Sequence, residues 1–311
     1  MIDFSLKWTR VRIEYELKKR HHFDFIVPMI RGALGYSLYE SYCKNKLVQC
    51  NGCKINSSCI YYRIFESPEY EGKKVKNFSI HPFQLSQYEY PMEEPGESKK
   101  ISFYLTLFGE PEMLYPIFIT ELNRIGIVGL GKSLIKAGKM NVYNLEGNPL
   151  VSNGSNVIKS PPIYSIADVN SMIESIYDKP NKIKMKFITP LQIKSNGRLL
   201  NRINFSHIIR AIARRLNMIE KYYGGSNRIK ADQILKNGGE VETIATRLDW
   251  VSHSRYSTRK KQKMPLPGIV GQLIISGDIS RFFPLLLLGE IFHIGAKTTF
   301  GLGQFIIYSE S

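Results

Sequence analysis

Hydrophobic and polar residues alternate over Val11–Lys18 (VRIEYELK), the period-two pattern of a strand with one buried face. A loop with His21 and His22 follows. Ile30, Leu34 and Leu38 then recur at i, i+4 and i+8, marking the buried face of a helix that starts near Pro28. Proline is tolerated there because the first helical position has no N–H bond to lose. The same order returns in the second half. Ile183–Pro190 (IKMKFITP) alternates as a strand, and Asn204 or Ser206 offers a helix cap. Phe205, Ile208, Ile209, Ile212 and Leu216 form an apolar stripe, with His207, Arg210 and Arg214 together on another face.

The two halves also end alike. The stretch from Gly109 to Pro116 (GEPEMLYP) pairs with the stretch from Gly277 to Pro284 (GDISRFFP) at one constant offset, glycine on glycine and proline on proline. Each predicts a turn, an acidic helix start and an amphipathic helix. Each helix runs into a glycine-rich segment, Arg124–Lys139 (RIGIVGLGKSLIKAGK) and His293–Phe305 (HIGAKTTFGLGQF), and then a strand-like tail. Strand, helix, two hairpin strands, helix and strand is the split βαβ order of a ferredoxin-like fold. Its repetition predicts an α+β protein of two tandem RRM-like βαββαβ domains, residues 1–150 and 163–311, with a cysteine-clustered insertion in the first. Gly147–Pro162, rich in Gly, Asn, Ser and Pro, reads as the linker. Ser67–Lys76 and Tyr88–Lys100 read as exposed loops.

Charge narrows the function. The chain of 311 residues carries 43 Lys+Arg against 27 Asp+Glu, a net charge of +16 that points to a polyanionic partner. The excess is local. Asn181–Lys230 holds twelve cations and one acid, Glu220, and Val251–Lys263 holds five cations and no acid. Basic blocks confined to one half describe a binding face. No apolar run reaches the ~18 residues of a membrane span; Phe282–Leu288 is short and contains Pro284. The N-terminus alternates like a strand rather than a signal peptide, so a cytoplasmic protein is expected.

Within that half, Gly295, Gly301 and Gly303 allow backbone to approach a phosphate or base, and Lys297 adds a cation. The GAKTT stretch lacks the spacing of a phosphate-binding P-loop; a bulged strand with tight turns is the structural alternative. In Asp249–Met264, Arg255 and Arg259 can pair with phosphates and Tyr256 can stack on a base, while Lys260, Lys261 and Lys263 add attraction that salt weakens. The plain alternative is a solvated basic hairpin.

All four cysteines fall between Cys43 and Cys59, with Cys50 and Cys53 as the central C-x2-C of a C-x6-C-x2-C-x5-C pattern. A reducing compartment argues against disulfides. Four thiolates suit a structural zinc, the preferred reading, or an iron–sulfur cluster. Free thiols in a small loop are the third reading.

The ending LLLLGEIFHIGAKTTFGLGQF closely resembles the C-terminal glycine-rich signature of the CRISPR repeat-processing endoribonucleases of the RAMP superfamily. IRGALGYSLYESYC with the cysteines after it, FITPLQIKSNGRLL and DWVSHSRYSTRKKQKM resemble further segments of that family, so the likeness runs from about Arg31 to the end. The resemblance implies an enzyme that binds a repeat in precursor CRISPR RNA and cuts it once, with no metal in the chemistry. CRISPR effector-complex subunits are further partners to expect. It also implies attack by a ribose 2′-hydroxyl on the neighbouring phosphorus, which needs a base, an acid and positive charge. Many relatives carry a histidine on the first helix where this chain has Tyr36. The expected set is therefore His293 and Tyr36 handling protons and Lys297 steadying the phosphate. His253 ranks second among the histidines; His21, His22 and His81 are looser candidates, and a histidine ending a helix also serves as its cap. The rival readings are a noncatalytic RNA-binding subunit of a CRISPR effector complex and a metal-clamped nucleic-acid-binding protein outside such systems.

Overall fold

The computed structural model describes residues 4–21, 23, 25–66, 80–88, 98–130, 135–152, 158–176, 180–195, 197–257 and 261–310. The chain divides into two compact units, Lys7–Ile163 and Tyr164–Ser311 with Met1–Leu6.

The first unit contains β1 (Trp8–His21), α1 (Val27–Tyr42), β2 (Phe83–Gln87), β3 (Ser98–Phe108), α2 (Pro111–Val128), β4 (Ala137–Tyr143) and β5 (Pro149–Val151). Its sheet runs β2-β3-β1-β4-β5, and every pairing is antiparallel. Alternation along β1 sends Val11, Ile13 and Tyr15 inward and leaves Arg10, Arg12 and Glu14 half-buried on the other face. Ile30, Leu34 and Leu38 of α1 and Phe118 and Leu122 of α2 close the same core, all at 0% exposure. The buried Tyr15 hydroxyl donates to Leu122 O at 2.6 Å, so it enters the core with its hydrogen bond made.

The second unit contains α3 (Ile166–Ile176), β6 (Lys182–Leu191), β7 (Lys194–Ser195), β8 (Arg198–Leu199), α4 (Phe205–Tyr223), α5 (Ala231–Asn237), β9 (Val241–Ser257), β10 (Gln262–Gly277), α6 (Phe283–Phe292) and β11 (Phe305–Ser309). Its main sheet runs β11-β6-β10-β9, again antiparallel. In both units the first strand lies between the third and the fourth, with the second at an edge. This is the ferredoxin-like arrangement expected from the element order. Asn204 caps α4 through a reciprocal box: its Oδ1 accepts from His207 N at 3.1 Å, and His207 Nδ1 accepts from Asn204 N at 3.3 Å.

Several details differ from the sequence pattern. The expected linker Gly147–Pro162 contains β5, which pairs with β4, because the apolar Leu150 buries its side chain against the first core. The expected loop Tyr88–Lys100 gives up Ser98–Lys100 to β3; Ser67–Lys76 lies outside the described residues. Gly109 and Gly277 both end a strand with φ of 90° and 126°. Pro116 lies inside α2, whereas Pro284 is in the first turn of α6, because a short 3-10 turn over Ser280–Phe282 delays the second helix. No helix among the described residues is long and apolar enough to cross a membrane.

Candidate functional site

The glycine-rich segment of the second unit is a loop between α6 and β11, stitched to the end of β6. Gly303 N donates to Pro190 O at 3.1 Å, Ala296 N to Gln192 O at 2.9 Å, and Ile294 N to Gly303 O at 3.1 Å. The Thr189 hydroxyl donates to Gly301 O at 2.7 Å and accepts from Gln304 N at 2.9 Å. These contacts explain the glycines. A Cβ at Gly295 would collide with Gln192 O and one at Gly303 with Ile294 O, and both residues have φ near +80°. Gly295 and Gly303 therefore let the loop approach its own chain.

Two non-glycine residues of this loop, His293 (φ 54°) and Lys297 (φ 59°), also hold positive φ. His293 follows α6, pairs φ 54° with ψ 171° in a region populated almost only by glycine, and is fully buried. Its Nδ1 sits 3.2 Å from Leu302 O, so that nitrogen carries the proton. Beside it the guanidinium of Arg215, itself buried, donates to Phe292 O at 3.2 Å, and burial lowers its pKa to about 10. His293, expected to handle protons, is placed with its ring buried, where it ties the end of α6 to the loop.

Lys297 is placed differently. It opens the short turn Thr298–Phe300, and its Nζ donates to Pro265 O on β10 at 3.4 Å. Its pKa is lowered, chiefly by burial and then by the charges of Arg255 and Lys194. Arg255 lies across β9 with its guanidinium 4.2 Å from the centroid of Phe300, and burial lowers its pKa too. Arg255, half-buried, and the exposed Lys194 thus both repel the charge on the exposed Lys297, an arrangement that an anion would relieve.

The strands that carry Arg255 outrun the sheet. β6 pairs with β10 only as far as Ile269↔Leu191, while β9 and β10 stay paired to Ser257↔Gln262. Val251–Ser257 and Gln262–Gly268 therefore form a two-stranded ribbon. Alternation puts the half-buried His253 and Arg255 on one face and the exposed Tyr256, 42% accessible, on the other. Arg255 and Tyr256, grouped by sequence, serve opposite faces. Arg259 and Lys260 lie outside the described residues.

In the first unit Tyr36 projects from α1 at 66% exposure. His81 is buried, with Nδ1 3.0 Å from Ile64 O and Nε2 3.3 Å from an Arg31 nitrogen. The pattern fixes Nε2 as an acceptor, and His81 holds Arg31 over Phe65. Past Tyr42, Cys43, Cys50, Cys53 and Cys59 line one small cavity with Val48, Ile55 and Tyr62. All four are free thiols. Burial first, then Glu66 and the other three thiols, raises the pKa of Cys50. Among the described residues no three Cys, His, Asp or Glu side chains stand at distances that would hold a metal ion.

Residues 6–163 match the family model AF_1859_N, an N-terminal domain, and residues 185–305 match that of the CRISPR-associated endoribonuclease Cas6. The chain belongs to the AF_1859_N family, and its second unit carries a segment that matches the Cas6 endoribonuclease model. The Cas6 match takes in most of β6, the ribbon, α6 and the whole glycine-rich loop. An uncharacterised protein of Archaeoglobus fulgidus is 24% identical over 315 residues, covering 99% of this chain and all of that one. Thermus thermophilus Cas6 (TTHB231) superposes with a TM-score of 0.55 at 13% identity, over 99% of this chain and all of that one. Its product complex gives 0.58 at 16% identity, over 97% and all. A partial Cas6-RT-Cas1–Cas2 complex gives 0.62 at 14% identity over 99% of this chain. This chain spans about half of that one, 47% of its length. At such identities the structural likeness establishes the Cas6 fold.

The loop and ribbon contain residues that the sequence pattern did not single out. Lys194 and Phe300 complete the cationic cluster, and Arg215 braces the loop. Phe300 sat in view between two expected glycines. Arg215, next to Arg214 on an amphipathic helix, gave no sign that it alone turns inward.

Proposed function

We propose that this protein binds repeat RNA in precursor CRISPR transcripts and cleaves it at one phosphodiester. The observation that carries this reading is the Cas6 endoribonuclease match over the segment that builds the Lys297–Arg255–Lys194 cluster. Arg255 and Lys297 grip the backbone phosphates at the cut site; Arg259 and Lys260 add long-range attraction, and Tyr256 stacks on a base from the other ribbon face.

The reaction is attack of a ribose 2′-hydroxyl oxygen on the adjacent phosphorus. The P–O5′ bond breaks, the 2′-proton leaves to a base, and the 5′-oxygen takes up a proton. One product ends in a 2′,3′-cyclic phosphate and the other in a 5′-hydroxyl, with no metal needed. Lys297 stabilises the charge that builds on the phosphate oxygens. Its lowered pKa also makes its ammonium a better proton donor than an ordinary lysine. Tyr36, an exposed hydroxyl on α1, is assigned to orient the 2′-hydroxyl. His293 positions the loop.

Tyr36 in place of the first-helix histidine, together with the burial of His293, favours a second reading in which the protein holds RNA without cutting it, as a subunit of a CRISPR effector complex. Labelled repeat RNA incubated with the purified protein in EDTA separates the two. One cut with a cyclic-phosphate end, blocked by a 2′-deoxy substitution at the cut site, supports cleavage. Tight binding with intact RNA supports the second reading.

A further inference from the structure

We propose that the loop between α1 and the segment leading to β2 is a single-metal site, in which Cys43, Cys50, Cys53 and Cys59 hold one zinc ion. The first observation is the burial pattern. Among the described side chains from Lys44 to Ser58, none is buried, and Leu47 (98%), Val48 (43%) and Ile55 (42%) expose apolar surface. The side chains turned partly inward from Cys43 to Cys59 are the four cysteines and Asn56. A loop with so little apolar burial cannot organise itself that way, and the four sulfurs face its small interior. Such segments gain their order from a metal.

The second observation is the backbone. Cys43 N donates to Tyr39 O at 3.0 Å and ends α1. Cys50 begins one 3-10 turn, which Cys53 closes with N donating to Cys50 O at 3.3 Å. Cys59 closes a second such turn, its N donating to Asn56 O at 3.1 Å. Three of the four cysteines thus sit at the ends of tight turns, the fourth ends a helix, and all four border one cavity. The sulfurs do not yet meet at liganding distance. Each cysteine has a single side-chain torsion, so a change of rotamer moves its sulfur while the turns stay in place.

Four thiols that border one small cavity suit a single tetrahedral ion. The cavity measures about 10 Å³, room for one water-sized sphere. That accommodates a lone ion with Zn–S bonds of about 2.3 Å. Binding balances as four thiols and one Zn²⁺ giving a tetrathiolate and four protons, with a local charge of −2. Lys44, Lys46 and Lys54 of the same loop offset that charge. The ion would join the end of α1, the helix that carries Tyr36, to the chain that resumes at Ile60.

The test uses full-length protein purified without metal-affinity resin. Elemental analysis should find about one zinc per chain. A mercurial reagent should release it as the four thiols react, and Cys50→Ser should arrive depleted of zinc. Protein without zinc whose four thiols all react at once with a thiol reagent in the folded state overturns the proposal. Iron and sulfide in stoichiometric amounts with a brown colour overturn the single-ion assignment. Both wild-type readings stand even if the variant fails to fold.

Discussion

The two units share one strand order and differ in which connection carries the chemistry. In the first, α2 reaches β4 through a short excursion closed by the Leu130↔Ile135 bridge. The long connection there follows α1 and carries the cysteines. In the second, the α6–β11 connection is long and is bonded to the end of β6. The β9–β10 hairpin beside it extends past the sheet and brings Arg255 onto Phe300. A common frame thus has two loop positions free to specialise, and each unit has used a different one.

If the second loop depends on self-contact, its glycines are not alike with those of ordinary turns. Gly303→Ala forces a Cβ into Ile294 O at positive φ and should cost about 3 kcal/mol or more. Gly147→Ala, in a turn of the first unit with φ 85° and open space around it, should cost only about 1–2 kcal/mol. Denaturant unfolding of both variants checks the contrast; equal losses would break it.

The next effect sharpens the separation of structural from reactive groups. His293→Ala removes a buried ring and its bond to Leu302 O and should cost about 2–3 kcal/mol. Tyr36→Phe removes one exposed hydroxyl and should leave stability unchanged while slowing cleavage. Wild-type stability in His293→Ala would return that residue to the list of proton donors.

These contrasts show what the sequence could reveal. Strand order was legible because period two in β1 and β6 and the apolar series of α1 and α4 agree with the burial seen. β9, exposed along most of its length, carries no clear alternation of apolar and polar residues, and charge drew Arg255 and Tyr256 into one group although they are adjacent and so face opposite ways. His293 showed a residue type beside a loop; only its backbone angle and zero exposure show that the ring is sealed. Gly295 and Gly303 were legible as points of close approach, but their contacts with the chain near Pro190 and Gln192 were not, because long-range contacts leave no trace in local pattern.

A smaller effect follows from Lys297. Burial and its neighbours lower its pKa in the free protein, and a bound phosphate raises it again. The charged form prevails below the lowered free-state pKa, so RNA affinity is full there. It should fall as pH rises through that value and level off above the raised value of the complex. Anisotropy titrations from neutral pH to about 10 should show this decline beginning below the ordinary lysine range. Lys297→Arg should flatten it.

The central claim is that the RNA grip lies on the loop-and-ribbon face of the second unit. Its most direct test is the affinity of Arg255→Ala/Lys297→Ala for repeat RNA as a function of salt, with folding checked by thermal melting. The account predicts a loss of about tenfold or more at fixed salt and a log–log salt slope smaller by about two. Wild-type affinity and slope in a folded double variant would contradict it.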